Sequence, residues 1–140
     1  MPFAYEWAVL LVVPRVERCE FVNVGVLVYS RPLDYLAAQI TEDLSRAGAL
    51  DPGLDVAAVR QHLLGIADLV SGGAESGDNG ARPAGERFRW LVAPRSTVVQ
   101  TSPVHTGLTD DPAAELAALF AQMVAAPAEA RAAPVHPDPA

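Results

Sequence analysis

Two stretches near the start of the chain are almost uninterrupted apolar runs. Residues 5–13 (YEWAVLLVV) and 21–29 (FVNVGVLVY) are rich in valine, too β-branched to favour helix, and predict two strands. Pro14 ends the first because it has no N–H to give a ladder. Residues 15–20 (RVERCE) are a polar connection of hairpin length, so the two strands are expected to pair antiparallel and to be central in a sheet. Strict alternation places Asn23 beside Gly25 on one face of the second strand. An amide in that position must find a hydrogen-bond partner, and a backbone group across the Gly25 gap is the expected one.

Arg31-Pro32 reads as a turn and residues 36–40 as a short third strand. Thr41 or Asp43 then caps a short helix running to Ala49. Asp51 or Asp55 opens a longer helix ending near Val70, with Val56, Val59, Leu63, Ile66 and Val70 on one stripe. Residues 71–86 carry breakers and no apolar period, which predicts a flexible loop. From Arg87 the pattern reads as a strand, with Phe88, Trp90 and Val92 on one face. It breaks at Pro94, resumes over residues 97–101, breaks again at Pro103 and ends in a Gly turn. Asp111-Pro112 supplies an N-cap and first-turn proline for a last helix to about Val124, with Leu116, Leu119, Phe120, Met123 and Val124 as its apolar stripe. Residues 127–140 form an Ala/Pro tail expected to be disordered. The expected architecture is α+β: one domain over residues 1–126, an antiparallel sheet of four or five strands with two main helices packed on one face.

Composition narrows the classes. The chain has 140 residues, long enough for a core of its own, and is 51% hydrophobic. Its net charge of −7 argues against a general nucleic-acid binder, because a phosphate backbone needs a basic footprint. All the basic residues are arginine, and Arg82, Arg87, Arg89 and Arg95 lie in one short segment against only Glu86. A single cysteine, Cys19, excludes an internal disulfide and fits a reducing cytoplasm. The first apolar run is too short to span a bilayer, and no basic segment precedes it, so neither a signal peptide nor a membrane span is expected.

Candidate chemistry gathers in two polar stretches. In the first, Arg15, Arg18 and Glu20 with Asn23 suit an anion site in which Glu20 orients a guanidinium, or else ordinary exposed ion pairs on a hairpin. In the second, Arg95, Ser96 and Thr97 offer a guanidinium and two hydroxyls to an anion. The plain alternative is that the hydroxyls satisfy a backbone broken at Pro94. Arg89, Gln100, Ser102 and Thr106 complete the set of candidate binding residues. His105 is the one histidine in a plausible site and the weak candidate for a general acid or base, though no G-x-S-x-G elbow or acidic orienter accompanies it. No zinc spacing, no P-loop and no dinucleotide fingerprint occurs, so neither a metal nor a cofactor is expected. Trp7, Phe88 and Trp90 read as packing residues before they read as a base-stacking platform.

Taken together, YEWAVLLVVPRVERCEFVNVGVLVYS and RFRWLVAPRSTVVQTSPVHTGLTDDP resemble a bacterial family catalogued as domain of unknown function 3037, and the resemblance covers residues 5–124. It implies a partner rather than a chemistry, since family members are often encoded beside a HipA-like kinase. Cys19 occupies a place where the family pattern has an acidic or small residue, which tells against a Cys19 nucleophile. Two functions follow as expectations. One is a non-catalytic binding or regulatory partner of such a kinase. The other is a small enzyme or binder acting on a phosphate-bearing ligand through Arg, Ser and His.

Overall fold

The computed structural model describes residues 1–72 and 80–125. Strands β1 (Phe3–Val12), β2 (Val22–Ser30) and β3 (Tyr35–Ile40) form an antiparallel meander, with a 3-10 turn over Val16–Arg18 between the first two. Helices α1 (Ser45–Leu50) and α2 (Val56–Ser71) follow, then α3 (Ala84–Leu91). Two short strands, β4 (Val99–Thr101) and β5 (His105–Thr109), precede helix α4 (Pro112–Met123). The α+β class with an antiparallel sheet is as expected, and among the described residues the sheet has five strands. Both β4 and β5 pair with the same edge of β1, one against Leu10–Val12 and the other against Phe3–Trp7. They form one edge strand interrupted at Pro103.

The helices divide between the two faces of the sheet, which corrects the expectation of two main helices on one face. Leu10, Val12, Leu27 and Tyr29 pack with α1, α2 and α3 through Ala47, Leu63, Ile66 and Phe88. Tyr5, Val26 and Val28 pack on the other side with Leu116, Leu119 and Val124. β2 is buried without interruption from Val24 to Ser30 because both of its faces are covered.

The helix ends follow their capping residues. Asp55 Oδ1 accepts from the Ala58 amide at 3.0 Å, and Gly72, at φ 72°, closes α2 in the left-handed region. Asp43 Oδ1 accepts from the Ser45 amide at 2.9 Å at the start of α1, and those bonds hold its carboxyl below the usual range. Asp111 Oδ1 takes the Ala114 amide at 3.2 Å, with Pro112 in the first turn of α4.

Three local expectations change. The segment from Arg87 is helix, not strand: Ala84, Phe88 and Leu91 fall one and two turns apart, Glu86 sits in the first turn and Arg89 in the last. Phe88 is completely buried while Trp90, placed on the same strand face by alternation, is half exposed. Gly107 is not a turn but the middle of β5. A Cβ there would sit 2.7 Å from the Tyr5 ring, its register partner. A β-bulge lies at Val24, where the pairing steps from Leu10↔Gly25 to Leu11↔Asn23. Asn23 therefore faces α4 while Gly25 faces Leu10 and Ile40. Residues 73–79 of the expected loop and the expected tail at 127–140 lie outside the described residues. Of the remainder of that loop, Ala84 and Gly85 open α3.

Candidate functional site

The polar residues singled out from sequence are placed in separate neighbourhoods. At the end of the sheet where β1 gives way to Pro14, the Val13 amide donates to the Val98 carbonyl at 2.6 Å, so the two polar turns do lie side by side. Their side chains do not converge. Arg15 pairs with Asp51 at 3.2 Å, and Arg18 pairs with Glu20, whose carboxylate raises the guanidinium pKa further. These four line one shallow hollow of about 440 Å³. Cys19 is exposed, in the left-handed region at φ 58°.

The second stretch satisfies its own backbone. Arg95 donates to the Trp90 carbonyl at 2.5 Å and to that of Ala93 at 3.3 Å, and its guanidinium lies over the Trp90 ring at 4.7 Å. It closes the C-terminus of α3, where a cation meets free carbonyls and the negative end of the helix. Thr97 donates to the Val99 carbonyl and Gln100 to that of Thr97, each at 2.7 Å. Ser102 fills the gap made by Pro103: its hydroxyl accepts from the Val9 amide at 2.8 Å and donates to the Pro103 carbonyl at 3.0 Å. Asn23 Nδ2 donates to the Met123 carbonyl at 3.0 Å, a backbone partner but in α4 rather than across the Gly25 gap. Ser96 and Thr106 are exposed.

His105 lies on the opposite face from α2, exposed and stacked on Trp7 at 4.5 Å. Neither Ser102 nor Cys19 is hydrogen-bonded to it, and Ser102 is already committed at both ends of its hydroxyl. No group of three His, Cys, Asp or Glu able to hold a metal ion occurs among the described residues.

A cavity of about 830 Å³ lies at the other end of the sheet. Glu6 of β1 and Tyr29 of β2 form its floor, the β2–β3 turn brings Arg31 and Asp34, and the start of α3 brings Arg82, Gly85 and Glu86. Two arginines here are structural clamps. Arg89 Nη2 meets both oxygens of Glu6 at 2.7 Å. Arg87 donates to the carbonyls of Leu69 at 2.9 Å and Val70 at 2.7 Å, tying α3 to the end of α2. Arg82 pairs with Glu86 at 3.4 Å, both well exposed. Of the earlier candidates only Arg89 lines this cavity. The sequence did carry a signal for it, the run of arginines beginning at Arg82, but reading that run as loop and strand hid the helix that gathers them.

The model of a family described as Protein of unknown function (DUF3037) matches residues 7–124, nearly the whole chain. The chain belongs to this family. No curated protein and no solved structure matches it. Both polar turns and both walls of the large cavity lie inside the DUF3037 match, except for Glu6, which borders it. No helix among the described residues of this DUF3037 protein is long and apolar enough to cross a membrane.

Proposed function

We propose that this DUF3037 domain is a non-catalytic binding module acting on a protein partner in the cytoplasm, and that the partner is the HipA-like kinase implied by the family resemblance. One observation carries the reading: Arg18 and Glu20 line one hollow as an exposed pair, Arg95 and His105 lie outside it, and Arg95 is already committed to the carbonyls at the end of α3. A site for covalent or acid–base chemistry needs such groups within hydrogen-bond reach of one another. A protein-binding face needs only exposed apolar anchors with a polar rim. Phe3, Phe21, Val98 and Leu108 are such exposed apolar residues. Phe3 and Leu108 belong to β1 and β5, beside the outer edge formed by β4 and β5, with which no other described strand pairs. An unpaired edge is a ready site for strand addition by a partner.

Co-expression with a HipA-like kinase encoded beside it tests this. The expected result is a complex that co-elutes on size exclusion, and that Leu108→Glu weakens without unfolding the domain. Separate elution at micromolar concentration overturns the reading.

A further inference from the structure

The large cavity holds polar groups that the fold leaves unused. Tyr29 is more than nine-tenths buried, its ring stacked on Phe88 at 5.1 Å. Its hydroxyl has no hydrogen-bond partner among the described residues. That hydroxyl abuts the first turn of α3: a Cβ built on Gly85 would lie 2.7 Å from it. The first amides of any helix, here those of Ala84, Gly85 and Glu86, lack an intrahelical acceptor, and Pro83, the N-cap, has no side chain able to cap them. The first amide with one is that of Arg87, which donates to Pro83 at 3.1 Å. Arg31 lines the same cavity and makes no ion pair among the described residues. Helix amides, a phenol O–H and a guanidinium, all without a partner among the described residues, are donors, and the positive end of a helix dipole favours negative charge beside them.

We infer that this cavity is an oxyanion site, taking the phosphate or carboxylate group of a small molecule. The Gly85 and Glu86 amides and the Tyr29 hydroxyl bind its oxygens, and Arg31 supplies the balancing charge. Glu86 and Asp34 also line the cavity. Glu86 is drawn aside by Arg82, and Asp34 is on the β2–β3 turn, left-handed at φ 47°. Gly85 leaves the room that the hydroxyl occupies, since any side chain there would collide with it. The site does not depend on the kinase reading and is tested on the isolated domain.

The domain is titrated with inorganic phosphate and, separately, with acetate at constant ionic strength, while the backbone amide resonances of Gly85 and Glu86 are followed. Saturable shifts at these amides are expected with at least one of the two anions, and the stronger identifies the group recognised. Arg31→Ala should weaken that binding about tenfold or more, as for loss of a charge-assisted contact. Tyr29→Phe keeps the ring stack and should weaken it about threefold or more. Arg18→Ala, at the far end of the sheet, should bind as wild type. No saturable shift with either anion, or equal affinity in wild type, Arg31→Ala and Tyr29→Phe, overturns the site.

Discussion

The two ends of the sheet look alike in composition and differ in what their polar groups are doing. At the Pro14 end, Arg15, Arg18, Arg95, Thr97, Gln100 and Ser102 are all spoken for by nearby carboxylates or carbonyls. At the opposite end, Tyr29 and Arg31 have no such partners among the described residues, and the first amides of α3 have no cap. A high density of hydrogen-bonding side chains is therefore a poor marker of a site by itself. Prolines at 94 and 103 break the ladder, and a broken ladder needs side chains to satisfy it. Donors left over after that accounting are the better marker.

The comparison is broken most directly by removing what builds the cavity end. Phe88→Ala deletes a fully buried ring that joins α3 to Tyr29, and should cost about 3–5 kcal/mol in urea unfolding. Asn23→Ala should cost about 1–2 kcal/mol, because its amide holds the Met123 carbonyl at the end of α4. A cost near zero would return Asn23 to the list of binding residues. Ser102→Ala should cost about 1 kcal/mol and speed hydrogen exchange at the Val9 amide, whose acceptor it removes. Alkaline titration gives a smaller effect. Burial, then the Glu115 carboxylate, raises the Tyr5 pKa above its ordinary value, and burial, then Asp111, raises that of Tyr35. A group whose folded pKa is raised gives stability that is whole below the unfolded value and lost as pH climbs through the folded one. The docking of α4 should thus weaken only above about pH 10, and Glu115→Gln should lower the Tyr5 transition seen by ultraviolet absorbance. Smallest of all, Ser96→Ala should leave the unfolding midpoint where it is, within ~0.5 kcal/mol.

Much of the fold was legible because local signals and the global arrangement agree. Asp55 and Gly72 bound α2 where the stripe of Val59, Leu63 and Ile66 requires, and Asp111-Pro112 opens α4. The failures have physical causes. In RFRWLV the aromatic alternation and the helical spacing of Ala84, Phe88 and Leu91 compete, and only the packing of Phe88 under Tyr29 decides between them. A bulge shifts register without any mark in composition, so strict alternation puts Asn23 on the wrong face. The unbroken apolar run of β2 did announce cover on both faces, and reading it so would have placed α4 correctly. The cavity was not legible, because it is built from a turn and a helix start 50 residues apart, between Arg31 and Arg82, and no spacing rule links them.

The interrupted edge strand has a consequence for how the chain reaches this state. β1 precedes the other strands of this sheet in the chain, yet its outer edge is closed by segments about a hundred residues later: Ser102 reaches Val9 across a separation of 93 positions, and β5 pairs with Phe3–Trp7. The meander of β1, β2 and β3 can assemble from local contacts, whereas closure must wait for a long loop to form. Until then the most apolar strand of the protein presents a free edge to every other nascent copy, and the short, proline-divided pair β4 and β5 is the lid that ends this exposure. Fragments ending before Val99 should aggregate, and a pulse of hydrogen exchange during refolding should find the Val9 amide among the last to be protected.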